Sequence, residues 1–485
     1  MNTLAVQNME SKKHIVVIAF PGYGHLIPLL SFARKAAEHH HVTFVISKCK
    51  LNDLRTRELF TAEDEKTIAL IGLEDGIPDG AGEDTNPSVW GMLWDGIIPS
   101  IEAFLRTVPT PNKPSSQSPY SITRPVDVVF CELFLACSAV ICQQRGIPCY
   151  LFCTARLGAQ LSRLNVTEHT PVVAEGEVSP LRHVMGKRAM DPEQKNAPFL
   201  DRHKKHSLSI CSGLKPAVGI VINSFREIEE EAIAEYLKDE RAKGHDVKCT
   251  GPLLPEEDKL NSQNFKIQQQ VQQWLDTKPP NSVIYIAFGS VRIPAKERIT
   301  EIGKALLLLN QPFIFSLRQE QHDLLPEEIR RGMADQFAGS ALGLVLPWAP
   351  QRNILLHPAT GVFLSHCGWN STVEAMYTGT PVLSWPIFGD QLYNGQLLEE
   401  AGMGVVLINA DEHVKIVPAE EIAEKLANVG GFAFKGRERV LDTGFKRAAE
   451  VWKEKTRAAV TMGGSSEEEF EMLMALEVLR KSDHI

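Results

Sequence analysis

The densest chemistry in this sequence of 485 residues lies between Trp348 and Gln391. A β-rich run, Gly361–Ser365, leads into His366-Cys367-Gly368-Trp369-Asn370-Ser371-Thr372 and then into a helical pattern that carries Glu374. Gly368 lets the backbone approach a ligand closely. Asn370, Ser371 and Thr372 bring amides and hydroxyls to a helix N-terminus, where unpaired N–H groups and the helix dipole favour a phosphate. The His366 ring adds another donor. Glu374 follows Asn370 by one helical turn, so its carboxylate can accept from vicinal hydroxyls beside that phosphate. Upstream, Trp348 offers a flat face to a base. Downstream, Asp390 and Gln391 offer paired polar groups to sugar hydroxyls.

A second cluster, Gly22-Tyr23-Gly24-His25-Leu26-Ile27, follows the first apolar run. It invites a dinucleotide reading and fails it twice. Ile27 stands where G-x-G-x-x-G needs its third glycine, and the next strand ends in Ser47-Lys48 with no acid to hold a ribose diol. A Walker lysine loop is absent, and so is any Asp-x-Asp that would chelate a metal for a sugar nucleotide. No metal is therefore expected.

The elements that must position these residues alternate between short β-rich runs and helical stretches, the pattern of parallel sheets covered by helices. Strands are expected at His14–Phe20, His41–Ser47, Val126–Cys131, Cys149–Cys153 and Val218–Asn223. A second series is expected at Ser282–Phe288, Phe313–Leu317, Gly343–Leu346, Gly361–Ser365 and Pro381–Trp385. Helices are expected over Leu26–His39 and Leu133–Arg145. Asn165–Lys205 is polar without a clean period and reads as mobile. Gly251-Pro252-Leu253-Leu254-Pro255 and the polar stretch after it read as an interdomain linker. The expectation is an α/β chain with two doubly wound domains: 1–250, a linker at 251–270, then 271–462. Residues 463–485 form a terminal amphipathic helix returning to the first domain. Ligands in open α/β sheets bind at the carboxyl ends of the strands.

Composition excludes several other classes. Lys plus Arg total 51 against 60 Asp plus Glu, a formal charge of −9, which speaks against a nucleic-acid partner. The nine cysteines include no C-x-x-C pair and sit largely in apolar stretches, as expected of reduced buried thiols. The N-terminus is too polar for a secretory segment, and no apolar run approaches the roughly 18 residues that span a bilayer. A cytoplasmic protein without a membrane span, acting as a monomer, is expected.

The segment Trp348–Gln391 resembles the signature box of family 1 UDP-glycosyltransferases of the plant secondary-product type, without a gap across its 44 positions. PGYGH near the start, FGS at Phe288–Ser290, VINSFREIE, GPLLP and GGSS at Gly463–Ser466 match the family in order, so the resemblance spans nearly the whole chain. It implies a GT-B fold, two facing Rossmann-like domains with mostly parallel sheets, the second holding the donor. It implies that Trp348 stacks the uracil while the Ala349 backbone reads its edge. Gln351 and Glu374 would bind the ribose, and His366, Asn370, Ser371 and Ser290 the diphosphate. Trp369, Asp390 and Gln391 would face the sugar, with Thr154 reaching it from the first domain. Gln391, rather than His, and Trp369, rather than Arg, favour UDP-glucose as the co-substrate, with no other cofactor. Gly379-Thr380-Pro381 departs from the family's more common Val in the middle.

The implied reaction needs a base, because a hydroxyl is a poor nucleophile at neutral pH. His25 lies at the end of the first strand and the start of a helix whose dipole disfavours an imidazolium, so it is suited to the task. Family resemblance makes it the base of an inverting transfer without a metal. The family's His is oriented by an Asp; here that position holds Glu132, which either reaches the His25 ring with one more methylene or merely favours a helix N-terminus. Asp127 is the alternative carboxylate, at the wrong end of its strand. Gly22, Tyr23, Trp94 and Phe388 are candidates to line an apolar pocket for a small lipophilic hydroxylated acceptor, a phenol or flavonoid, or to be core. The competing readings are another UDP-sugar or a sterol or lipid acceptor, an inactive sugar-nucleotide binder, and an NAD(P)-dependent oxidoreductase.

Overall fold

The computed structural model of the protein describes residues 12–76, 87–114, 119–167, 197–254, 262–289, 294–338, 342–407 and 416–476. They form two compact units. Unit 1 contains the described chain up to residue 167, residues 197–254 and the segment from Ala459; unit 2 runs from residue 262 to Ala458.

Unit 1 is built on one parallel sheet of seven strands, in the order β3-β2-β1-β4-β5-β6-β7. These are β1 (His14–Ile18), β2 (His41–Ser47), β3 (Ile68–Leu73), β4 (Val128–Glu132), β5 (Cys149–Cys153), β6 (Gly219–Ile222) and β7 (Asp246–Cys249). Both faces are buried: Val16, Ile18 and Phe20 enter one apolar cluster, Ile15, Val17 and Ala19 the other. That is why the central strands read as apolar runs instead of alternating ones. Unit 2 repeats the scheme with six parallel strands, β10-β9-β8-β11-β12-β13: β8 (Val283–Ala287), β9 (Phe313–Ser316), β10 (Gly343–Leu346), β11 (Thr360–Ser365), β12 (Val382–Ser384) and β13 (Gly404–Val406). Strand order reverses beside β1 and β4 in unit 1 and beside β8 and β11 in unit 2. At such a switch point neighbouring loops leave in opposite directions and open a crevice above the carboxyl ends.

Several expectations change. Strands β3, β7 and β13 were not anticipated. The single helix expected over Leu133–Arg145 is two elements, a 3₁₀ turn at Leu133–Leu135 and an α-helix at Ser138–Gln144, because the Glu132 carboxylate accepts from the Phe134 N–H at 2.7 Å and caps a tighter turn. Of Asn165–Lys205, residues 168–196 lie outside the described ones, while 197–205 open a 16-residue helix, Ala197–Ser212, whose Ile210 and Cys211 are buried. Of the expected linker, 262–270 are part of the helix Ser262–Asp276, and Leu253 is tied to unit 1 by the Asn223 side chain at 2.8 Å.

The helix Ser465–Met474 belongs to unit 1. Phe470 is buried against Phe32, with ring centroids 5.8 Å apart. Glu469 accepts from Arg226 Nε and Nη2, at 2.7 and 2.8 Å, and from the Cys249 N–H at 2.6 Å, while Ser466 donates to the Gly251 carbonyl at 2.6 Å.

Candidate functional site

In unit 1 the candidate residues gather where β1, β4 and β5 end. The helix α1 (Tyr23–His39) opens directly after the Pro21-Gly22 turn, with the Gly22 carbonyl accepting from the N–H groups of His25 (2.9 Å) and Leu26 (2.8 Å). His25 thus sits on the first turn, its side chain 19% exposed. Glu132 is the last residue of β4 and faces it, Nδ1 to Oε1 at 2.8 Å. A carboxylate accepts only, so the proton lies on Nδ1 and Nε2 is the basic nitrogen. The two roles considered for Glu132 are both present, one on each oxygen: Oε1 meets His25, and Oε2 caps the 3₁₀ turn. Asp127, at the other end of β4, accepts from the His14 N–H at 2.8 Å.

Thr154, one residue beyond β5, is brought into the same cluster. Its hydroxyl lies 3.0 Å from His25 Nδ1 and donates to Glu132 Oε1 at 3.3 Å. Its placement beside the imidazole follows from adjacency: Glu132 pairs with Phe152, so the residue after Cys153 emerges next to it.

Aromatic rings surround the imidazole. Phe134 lies 4.8 Å and Phe20 5.2 Å from its centroid. Trp94 stacks with Phe134 at 5.2 Å and with His206 at 3.8 Å. Trp94 is therefore part of this wall at one remove, and its indole N–H is buried with no partner among the described residues. Among the described residues Phe20 and Phe134, which sequence reasoning missed, touch His25; their signal was a place at or just past the carboxyl end of a strand. Tyr23 is drawn elsewhere. Its hydroxyl donates to Asp53 at 2.6 Å and its ring lies under Lys50 and Arg57, which makes it an anchor for the helix Lys48–Thr56 and not an apolar lining. Of the neighbouring segment Val89–Trp94, the side chains of residues 89–93 lie outside the described ones.

In unit 2 the candidates converge on the turn from β11 into the helix α2 (Trp369–Thr378), with Gly368 as its N-cap. The turn is held tightly. Cys367 has a left-handed backbone (φ 62°), an uncommon state for a residue with a Cβ. Its N–H donates to Ser365 Oγ at 3.0 Å, and its carbonyl accepts from Asn394 Nδ2 at 3.0 Å. Asn394 also donates to Asp390 at 2.9 Å, so one buried amide joins the β11 turn to the loop after β12. Sequence reasoning missed Asn394, whose only signal is its spacing of four from Asp390. Burial pushes the Cys367 thiol up to about 12, which leaves it unreactive.

His366 projects between two glycines. A Cβ on Gly289 would stand 2.6 Å from its Nε2, and one on Gly368 2.7 Å, so neither position accepts a side chain without moving the ring. Gly289 is also left-handed, with φ of 72°. Burial lowers the His366 pKa to about 4, opposed only by a backbone hydrogen bond with Ala287. The ring is neutral at pH 7, and its Nδ1 is buried without a partner among the described residues. Trp369 and Ser371 are buried, and Asn370 is half-buried, on the first turn of α2. Ser290 lies outside the described residues.

Trp348 is half-buried just past β10, and Ala349 is buried beside it. Gln351, first residue of the helix Gln351–Leu356, donates through Nε2 to Ser371 Oγ at 3.0 Å and to Glu374. Burial raises the Glu374 pKa, and the Gln351 hydrogen bond opposes it. Gln391 opens the helix Gln391–Glu400, yet its side-chain oxygen is already engaged by the N–H groups of Ile387 (2.7 Å) and Phe388 (2.9 Å). Only its amide nitrogen can face a sugar. Phe388 is half-buried in that same loop of unit 2, away in sequence and in unit from the other acceptor candidates.

These features have close counterparts. The family model described as UDP-glucoronosyl and UDP-glucosyl transferase matches residues 252–420. UDP-glycosyltransferase 71A15 of Malus domestica is 28% identical over 94% of this chain and 98% of its own. Cinnamate beta-D-glucosyltransferase of Fragaria ananassa is 28% identical over 94% of this chain and 81% of its own. The fold is also that of UGT71G1 from Medicago truncatula, whose crystal structure is a complex with UDP-glucose: TM-score 0.71, 24% identity, covering 97% of this chain and 99% of that one. Two Rossmann-like domains with parallel sheets are thus the domains of the GT-B fold class.

Proposed function

We propose that the chain is a glycosyl-transferring enzyme of the plant family 1 UDP-glycosyltransferase type, and that it moves glucose from UDP-glucose to a hydroxyl of a small aromatic acceptor, with inversion. The carrying observation is the His25–Glu132 contact of 2.8 Å, which leaves Nε2 as a base among aromatic rings. In the step, the acceptor O–H proton passes to His25 Nε2 and the oxygen attacks the anomeric carbon. The bond from that carbon to the β-phosphate oxygen breaks, and the electron pair leaves on UDP. Glu132 favours the imidazolium that forms, the same logic as the acid of a Ser-His-Asp triad. Such a base supplies roughly 10²–10⁴-fold.

The donor reading rests on unit 2. The amides at the start of α2 and a His366 N–H meet the charge that develops on the diphosphate. Trp348 stacks the uracil beside the Ala349 backbone, Ser290 adds a diphosphate contact, and Gln351 with Glu374 takes the ribose. Asp390 and the Gln391 amide nitrogen take the sugar, beside Trp369. An acceptor with a planar ring suits the half-buried Phe134, with Phe20 and Trp94 packed behind it. Nine free cysteines suit a reducing cytosol, and no described helix is long and apolar enough to cross a membrane. We read the protein as a cytoplasmic monomer.

The test is mass spectrometry of a mixed phenol panel incubated with equimolar UDP-sugars. A single hexose gained from UDP-glucose, lost by about 10²-fold or more in His25→Ala, supports the reading. UDP released without a glycoside, or His25→Ala as active as the wild type, refutes it.

A further inference from the structure

Tyr285 lies at the centre of β8, opposite Phe363 of β11, and is 1% exposed. The strand places its ring against Phe363, centroids 4.9 Å apart, on the sheet face away from the unit 2 core cluster. Its hydroxyl emerges under the start of the helix Gln351–Leu356 and meets Gln351 Oε1 at 3.2 Å. The direction of every hydrogen bond from this point outward is fixed by chemistry. The Glu374 carboxylate can only accept, so the Gln351 amide must turn its nitrogen toward Glu374 and Ser371. Its oxygen then faces Tyr285, whose hydroxyl must donate. Ser371 Oγ accepts from Gln351, which leaves the serine's own proton for an acceptor outside the chain of bonds.

We propose that Tyr285 is a positioning residue for the donor: it locks the Gln351 amide and thereby presents Ser371 as a donor to phosphate and Glu374 as an acceptor for a ribose diol. This rests on unit 2 binding a uridine diphosphate. Without the hydroxyl, the Gln351 oxygen is buried unpaired. The amide is then anchored from one side only and shifts, which loosens its hold on Glu374 and Ser371 together. Burial raises the Tyr285 pKa, so the phenol stays a donor throughout the working pH range.

The experiment compares the binding of UDP and 2′-deoxy-UDP by calorimetry in the wild type, Tyr285→Phe, Ser371→Ala and the double variant, with thermal midpoints to verify folding. The wild type should prefer UDP by about tenfold or more, the loss expected when a site built for a hydroxyl meets an analogue lacking it. Tyr285→Phe should weaken UDP by about three- to tenfold and 2′-deoxy-UDP by less, because the deoxy ligand loses only the Ser371 contact, so the preference shrinks. Because the Ser371 branch is shared, Tyr285→Phe should cost less in the Ser371→Ala background than in the wild type, so the losses fall short of additive. Equal weakening of both ligands, or additive losses in the double variant, overturns the inference while leaving the donor reading intact. A wild type that binds UDP and 2′-deoxy-UDP alike overturns the ribose reading and the inference with it.

Discussion

In the proposed donor site His366 is a neutral ring facing a diphosphate, and the consequence can be measured. With a pKa of about 4, it is about 1% protonated at pH 6. One charge pair about 4 Å apart at an effective dielectric near 20 is worth about 4 kcal/mol, or about three pH units at 1.36 kcal/mol each. UDP-glucose, whose pyrophosphate does not titrate near neutrality, should therefore lift the ring to about 7. At pH 6 each binding event takes up about 0.5–1 proton, and at pH 8 about 0.1. The sign follows: the free ring binds fewer protons than the bound one between about pH 4 and 7, so affinity falls as pH rises through that window, by up to about tenfold per unit. The assay is calorimetry without acceptor, in buffers of different ionisation heat. The slope of observed enthalpy against buffer heat counts protons. His366→Asn should remove that slope. A wild-type slope of zero at pH 6, or one that His366→Asn retains, would refute the argument.

Glu132→Gln keeps an oxygen to cap the Phe134 N–H but loses the charge facing His25. It should keep its Tm within a few degrees and lose about tenfold or more in kcat/KM; a change within about twofold removes Glu132 from the mechanism. Gly289→Ala puts a Cβ 2.6 Å from the His366 ring at a left-handed position, so UDP affinity should fall about tenfold, and unchanged calorimetry would contradict the cradle. Gln391→Ala releases two loop N–H groups, worth about 1–3 kcal/mol together, so Tm should drop by about 2–10 °C and the glucose-to-galactose ratio of Gln391→His should shift. An unmoved Tm in Gln391→Ala sinks the loop-pin account; an unmoved ratio in Gln391→His removes that side chain from sugar contact.

The strands that sequence reading placed best, His41–Ser47, Cys149–Cys153 and Gly343–Leu346, are apolar runs with little interruption and burial to match. Of those it missed, β3 (IALIGL) is apolar but largely not buried, and the other two lack the apolar run itself. β7 carries Asp246 and Lys248, the charged dress of an edge strand, and β13 is three residues long. Its Gly404 presses on the Val382 carbonyl, where a Cβ would stand 1.8 Å away, so a packing requirement replaced the usual β-branched residue. The Trp348–Gln391 segment was legible as a candidate site because its residues are contiguous and each type announces its chemistry. Tyr285 and Asn394 were not, because they act across elements on partners 66 and 27 positions away, and nothing in a tyrosine or asparagine tells which amide it holds. Glu132 stands between: its position was readable, but the division of labour between its two oxygens needed coordinates.

The return of the helix Ser465–Met474 to unit 1 has a bearing on biogenesis. During translation the unit that carries His25 emerges first, yet Phe470 and Glu469 are supplied only after all of unit 2 has been made. Until then Arg226 lacks its carboxylate and the apolar face beneath Phe32 is open to water. Unit 1 must wait, part-finished, through about 200 residues of synthesis, at roughly 5–20 residues per second. A nascent chain halted between the two units is thus the species in which a chaperone would find most to hold.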